Sequence, residues 1–449
     1  MARETFFLDL KPPAEAFRGC RHVVIVGGGF AGLRACHTLA GRPVRVTLID
    51  KRNFNLFQPL LYQVASGLVS EADVASPLRQ MVGQAPNIQI LLGEVVAIDV
   101  ENRQVEFHGQ RLAYDDLILA SGSGSSYFGH EEWRPLAPPM KILEHAEEIR
   151  RRLLMALEEA EQTPDRERRR FLQTAVVVGA GPAGCELAGS LVELMHRSVR
   201  RDFKQLDPAD CRVVLVDAVD RVLPSMHPDL SADAARYLIS QGVELRLHSL
   251  VRDIEAGRVL ISSTIPPADV VTAGSADEAL APAAAGPSTG PGHGPAPCLE
   301  AATICWTAGV RASRLGRLLA ESCGCAVDRG GRVLVEPDFS VPHHPEIRVV
   351  GDLACYAHTR DGAPLPGMAG PAVQAGGWVA EQILASLAGR EQPPFQWVDL
   401  GSMAVIGPWY AVADLRGLRV KGLLGWVLWA LAHLAFIPDT ENRIALFSK

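Results

Sequence analysis

His22-Val23-Val24-Ile25-Val26-Gly27-Gly28-Gly29-Phe30-Ala31-Gly32 decides the fold of this 449-residue chain. Its first five residues, short, continuous, apolar and rich in valine and isoleucine, read as a buried strand. The glycines that follow match G-x-G-x-x-G and lead into a segment of helix length. Gly27 permits a tight turn, Gly29 lets backbone approach a pyrophosphate, and Gly32 lets helix and strand pack closely. The N-terminus of the helix that follows, with Phe30 and Ala31 inside the fingerprint, points free N–H groups and the positive end of its dipole at a phosphate. A second strand follows at Pro43-Val44-Arg45-Val46-Thr47-Leu48-Ile49-Asp50. Its last residue, Asp50, stands eighteen residues after Gly32, where a carboxylate can accept hydrogen bonds from a ribose. Strand, glycine turn, helix and strand make a parallel βαβ unit.

The same pattern returns at Thr174-Ala175-Val176-Val177-Val178, followed by Gly179-Ala180-Gly181-Pro182-Ala183-Gly184. Its second strand is Arg212 to Asp217. That carboxylate comes thirty-three residues after Gly184, so Arg201 to Cys211 reads as an extra loop in the crossover. A carboxylate there accepts from a free 2′-hydroxyl and repels a 2′-phosphate, which favours NADH over NADPH. Two dinucleotide-binding folds in one chain imply an α/β protein built as a relay. One cofactor stays and the other leaves, as a flavin and a nicotinamide would. A third strand, Ile347 to Val350, ends in Gly351-Asp352; by itself this is an ordinary strand-end turn, but beside two fingerprints Asp352 is a candidate to bond a ribityl chain.

Composition sets the outer bounds. Apolar residues make up 48% and charged residues 21%, so a large core is available and disorder is excluded as the general state. With 44 basic and 51 acidic residues the net charge is -7, which gives no overall attraction to nucleic acid. Nine cysteines are too sparse for a disulfide framework, and no secretory apolar segment precedes Cys20. A reducing, cytoplasmic-side location follows. Met1 to Arg21 reads as a leader in which Pro12-Pro13 breaks any regular element. Ile142, Ala146, Ile149, Leu153, Ala156, Leu157 and Ala160 recur at helical spacing. Ile265 to Pro297 holds Pro, Gly, Ala and Ser without periodicity and reads as a flexible insertion.

Taken together, the motifs resemble those of the type II NADH:quinone oxidoreductases, a branch of the two-dinucleotide-binding-domain flavoproteins. The match rests on Asn53 to Ala65 (NFNLFQPLLYQVA), Ser126 to Trp133 (SYFGHEEW), Gly179 to Leu191, Leu365-Pro366-Gly367, Gly401 to Gly407 and Ala411 to Asp414. It covers nearly everything from Arg21 onward except the insertion.

That resemblance implies residue roles. Gly27, Gly29, Phe30, Ala31, Gly32, Asp50, Lys51, Val95, Gly351 and Asp352 would hold FAD non-covalently, with Ala120-Ser121-Gly122 returning to it. Gly181, Pro182, Ala183, Gly184, Asp217 and Gly309 would hold NADH. Glu186 would stand where nicotinamide meets flavin; the alternative is a helix-start glutamate stabilised by the dipole. Gln58, Pro59, Tyr62, Gln63 and Gln374 would line a quinone path, with Gln374 and Glu186 as the catalytic pair. Three residues depart from the family pattern: Ala375 replaces the second of two glutamines, Leu400 a lysine, and Asn55 a histidine. These changes bear on the quinone side and leave the nucleotide loops untouched. Cys323-Gly324-Cys325 lacks redox-pair spacing, and Pro-flanked His343-His344 has no cysteine partner, so no metal is expected.

The domains expected are a leader at 1–20, an FAD-binding unit from 21–138 and 328–392, an NADH-binding unit at 139–327, and a membrane-association segment at 393–449. Gly422 to Ile437 is apolar but for His433, and shorter than the roughly 20 residues that span a bilayer. Trp426, Trp429, Arg416, Arg419 and Lys421 suit a helix lying in the membrane interface, attached through 416–437. A buried core or dimer helix is the alternative, so a homodimer stays open. The expected activity is NADH oxidation with electron transfer to a membrane quinone and no proton pumping. A soluble flavin reductase acting on a protein or disulfide, and a flavin and NADH sensor, are the competing readings.

Overall fold

The computed structural model describes residues 6–7, 15–264 and 298–436. The expected insertion at 265–297, most of the leader, and residues 437–449 lie outside them. Along the chain, β1 (His22–Val26), α1 (Phe30–Leu39), β2 (Arg45–Asp50), β3 (Ile88–Leu92) and β4 (Asp116–Leu119) build the first unit. Helix α2 (Leu143–Gln162) crosses to the second unit. That unit comprises β5 (Thr174–Val178), α3 (Pro182–Asp202), β6 (Arg212–Val216), α4 (Pro228–Ser240), β7 (Val243–Arg246) and β8 (Thr303–Trp306). The chain then returns through β9 (His344–Val349) and α5 (Ala369–Leu387). It closes with β10 (Ser402–Gly407), β11 (Tyr410–Leu415), β12 (Leu418–Lys421) and α6 (Gly422–Phe436).

The first sheet runs β9-β4-β1-β2-β3 with every one of these pairs parallel, and a short antiparallel strand, Ser340–Val341, at one edge. The second runs β7-β6-β5-β8, also parallel. Strands buried on both faces need continuous apolar runs, and β1 and β5 are buried at all five positions. In both sheets the order reverses beside the first strand, at β1/β4 and β5/β8, where the carboxyl ends open a crevice for a ligand. Helix α2 buries Ala146, Ile149, Leu153, Ala156, Leu157 and Ala160, the stripe read from helical spacing.

Two expectations change. The leader is not without regular structure, because Phe6–Phe7 pairs in parallel with Gln110-Arg111 at a sheet edge. The late position of Asp217 comes mainly from helix length: α1 has 10 residues and α3 has 21. The connecting loop therefore begins at Phe203 and not at Arg201.

Residues 402–421 form an antiparallel sheet, β10-β11-β12, whose first two strands pack into the core of the second unit. Ala404, Ile406, Ala411 and Val412 are fully buried there, beside Leu187, Leu191 and Met195 of α3. Contact is backbone-close: a Cβ on Gly189 would lie 1.9 Å from the Ile406 carbonyl oxygen. In the first unit α1 meets α5 the same way, with Gly376 facing the Ala31 carbonyl at 2.1 Å.

Candidate functional site

Each fingerprint uses its three glycines differently. Gly27 and Gly179 turn the chain at φ +109° and +108°, in the left-handed region that excludes most side chains. Gly32 and Gly184 pack so tightly that a Cβ would sit 1.9 and 1.7 Å from the Gly27 and Gly179 carbonyl oxygens. Gly29 and Gly181 differ: a Cβ on either would meet nothing within 4 Å. The middle glycine of each loop thus leaves open space at a helix N-terminus, where Phe30-Ala31 and Pro182-Ala183 begin α1 and α3.

The two acidic partners grip their own loops. Asp50 Oδ2 accepts from the Gly28 N–H at 2.6 Å, and Asp217 Oδ2 accepts from the Ala180 N–H at 2.6 Å. The second oxygens accept from the Arg52 and Val219 N–H groups. Lys51 beside Asp50 is exposed, while the Val95 side chain is buried in the core. Asn55 is also buried and donates from Nδ2 to the Gly28 carbonyl at 2.8 Å. Asn55, one of the three departures, thus also touches the first fingerprint and braces its Gly28 carbonyl.

Around the end of β4, Ala120 seats against Gly27 and Gly32, Ser121 bonds Ser313, and the Gly122 carbonyl accepts from the Ser313 N–H. Ser123 Oγ donates to Asp352 Oδ2 at 2.5 Å, and the Lys141 ammonium lies 4.0 Å from the same oxygen. Gly351, at φ +68°, sits beside Ala31 and Ala372 and turns the chain into Asp352. Asp352, Gly351 and Ser123 line a cavity of about 520 Å³ that Pro371, Ala372 and Ala375 continue. In the second unit, Gly309 takes φ +76° under the Phe128 ring, and Thr307 donates its hydroxyl hydrogen toward the Val178 and Gly179 carbonyls.

Glu186 stands at the opening of the second turn of α3, one position beyond the first turn that the sequence suggested. Its carboxyl faces β10, where Oε1 accepts a long hydrogen bond from the Val405 N–H at 3.4 Å. Burial pushes this carboxyl up to about 8. Tyr62 lies within its electrostatic reach. Burial first, and the charge of Glu186 second, hold the Tyr62 phenol well above its ordinary range. The Tyr62 oxygen accepts from Gln63 Nε2 at 3.0 Å.

The amides expected on the quinone side are otherwise engaged. Gln58 Nε2 donates to the Lys141 carbonyl. Gln374 donates to the Val398 carbonyl and accepts from the Val398 N–H, both at 2.9 Å, so its amide is pinned to backbone. Pro59 opens the turn that carries Tyr62 into the core. An aromatic file was not foreseen: Phe30 meets Phe57 at 5.9 Å, Phe57 meets His433 at 6.1 Å, and His433 stacks on Trp429 at 4.3 Å. It leads from the first fingerprint to α6. Burial lowers His433 to about 4, so the imidazole is neutral. Its Nδ1 bonds the Trp429 carbonyl at 2.8 Å, an acceptor, which leaves Nε2 without a proton. Only the spacing of Trp429 and His433, one helical turn apart, hinted at this.

On α6, Leu423, Leu424 and Leu431 are 60%, 63% and 59% exposed, whereas Trp429 is 5% exposed and packs on the core. Of the two tryptophans expected at a membrane interface, Trp429 turns inward, whereas Trp426 is half-buried against the exposed Trp409 ring. The flanking cations are engaged too. Arg416 donates to the Asp399 carbonyl, Arg419 pairs with Asp229, and Lys421 pairs with Asp233 at 2.9 Å. Among the described residues no helix is long and apolar enough to cross a membrane, and no three metal-ligating side chains converge.

The family model for pyridine nucleotide-disulphide oxidoreductases matches residues 21–376. A type II NADH:quinone oxidoreductase of Mycobacterium tuberculosis is 39% identical over 97% of this chain and 88% of its own length. A second enzyme of that description from the same organism is 39% identical over 96% and 86%. Among solved structures, NDH2 of Plasmodium falciparum in complex with NADH superposes with a TM-score of 0.82 at 17% identity, covering 95% of this chain and 96% of that one.

Proposed function

Since the chain belongs to the type II NADH:quinone oxidoreductases, within the pyridine nucleotide-disulphide oxidoreductases, we propose that its first unit holds FAD and its second admits NADH. The enzyme oxidises NADH and reduces a quinone without pumping protons. The observation that carries the assignment of sites is the pair of open middle glycines, Gly29 and Gly181, each before a helix N-terminus and beside an aspartate-braced loop. Such a cradle fits a pyrophosphate. FAD, when bound, accepts a hydride and releases electrons to an acceptor. Gly27 to Gly32, Asp50, Gly351 and Asp352 would hold it, and Gly181 to Gly184, Asp217 and Gly309 would orient NADH.

Glu186 then holds a proton at its carboxyl near neutral pH, since burial raises it to about 8. Quinone reduction consumes protons, and Glu186 with Tyr62 forms the polar end of an otherwise apolar wall. Because Gln58 and Gln374 are bonded to backbone, the quinone-side polar contacts fall to Tyr62 and Gln63. The file Trp429, His433, Phe57 and Phe30 marks the path from α6 toward the flavin. The exposed leucines of α6 face the bilayer on the cytoplasmic side, where NADH is supplied. Each offers roughly 1–2 kcal/mol on burial, and with Arg416, Arg419 and Lys421 engaged internally the association is mainly hydrophobic.

An anaerobic titration of the full chain tests this reading. NADH should bleach a bound flavin with about one equivalent, and a short-chain quinone should restore it. A flavin that NADH does not reduce, or that quinone does not reoxidise, overturns it.

A further inference from the structure

Lys141 is tied to every part of the site. The neighbouring Met140 N–H donates to the Trp306 carbonyl at the end of β8, and the Lys141 carbonyl accepts from Gln58 at 2.9 Å. Its ammonium reaches Asp352, directly after β9. The side chain is 19% exposed, yet the ammonium makes no hydrogen bond among the described residues. Asp352 is 4.0 Å away and already receives the Ser123 hydroxyl at 2.5 Å. An ammonium carries three donors and is costly to enclose unless acceptors replace water. The acceptor Lys141 lacks is therefore one that arrives with a ligand, at the end of the crevice where Ser123, Gly351 and Asp352 converge.

We propose that Lys141 is a flavin-tuning residue: its ammonium bonds the bound flavin and stabilises the reduced form. This rests on the reading that the first unit holds FAD. A positive charge held beside a flavin would favour its reduced state, which carries more electron density, and Asp352, 4.0 Å from the ammonium, would moderate that charge. Lys141 thus positions and polarises the cofactor without taking part in bond changes. The lysine fell in a loop after Pro138-Pro139-Met140, where periodicity carries no signal.

The test compares the full-length parent, Lys141→Met and Lys141→Arg, each saturated with FAD and titrated anaerobically against a reference dye. In Lys141→Met the ratio of reduced to oxidised flavin at a fixed poise should fall tenfold or more, about 30 mV for a two-electron couple. Lys141→Arg, which keeps the charge, should stay within about threefold of the parent. Equal potentials in all three overturn the proposal. Should Lys141→Met fail to retain FAD, retention by Lys141→Arg at the parent potential supports it. Loss of FAD from both variants with a lowered melting temperature assigns Lys141 to folding and overturns it. A parent that binds no FAD defeats the cofactor reading itself, a separate result.

Discussion

Exchanging Glu186 for Gln preserves the shape of the side chain and removes its titration. In the parent, burial raises this carboxyl from 4.5 to about 8, so across that window the folded state holds a proton that the unfolded chain has released. Its contribution to stability is complete below about 4.5 and is lost as pH rises through about 8. At about 1.4 kcal/mol per pH unit the whole window amounts to at most about 5 kcal/mol. Glu186 keeps partial solvent access along its length, so screening reduces the working figure to about 2–3 kcal/mol. Unfolding midpoints measured between about pH 5 and about pH 9 should fall more steeply in the parent than in Glu186→Gln. Other titrating groups are common to both proteins and cancel in the difference. The carboxylic-acid infrared band should also persist to neutral pH in the parent and vanish in the variant. Parallel midpoint curves, with no such band, would refute the enclosed, protonated carboxyl.

Gly181→Val should fold and retain flavin but bind NADH at least tenfold more weakly, because its Cβ enters open space. Gly184→Ala should instead lower the melting temperature, since its Cβ would lie 1.7 Å from a carbonyl oxygen; calorimetry and NADH titration together separate the two outcomes. Asp217→Ser should lower the NADH-to-NADPH specificity ratio by about tenfold or more, at 1.4 kcal/mol per decade. An unchanged ratio of kcat/KM values would show that Asp217 only braces its loop. Leu424→Glu combined with Leu431→Glu should release the protein from liposomes in flotation while NADH still reduces the flavin. High salt should release the parent only weakly, because Arg419 and Lys421 are paired with Asp229 and Asp233; strong release by salt would return the docking to charge.

The two βαβ units were legible because their signals are local. A buried strand, three glycines at fixed offsets and a terminal aspartate lie within His22 to Asp50 and Thr174 to Asp217, and backbone sterics dictate each choice. The α2 stripe was legible for the same reason. What escaped was non-local. Nothing in the sequence pairs Asn55 with the Gly28 carbonyl, or Arg419 with an aspartate 190 residues earlier. The apolar character of the last fifty residues suggests one membrane segment, whereas Ser402–Gly407 and Tyr410–Leu415 pair as strands and bury Ala404, Val405, Ile406, Ala411 and Val412 in the second core. A lone lysine such as Lys141 carries no pattern, and its place is seen only when three distant loops meet.

The close approach of Gly189 to Ile406 has a mechanical consequence. Helix and sheet touch backbone to backbone, and the Lys421–Asp233 and Arg419–Asp229 pairs tie the far edge of that sheet to α4. The leucine face of α6 therefore follows the nucleotide-binding unit as one body, without a hinge between them. If α6 is the face that meets lipid, as proposed above, this coupling would hold the aromatic file at Trp429 and His433 at one height above the lipid tails. On that reading a lipid-soluble quinone and a water-soluble dinucleotide would reach the two units without any rocking of one against the other.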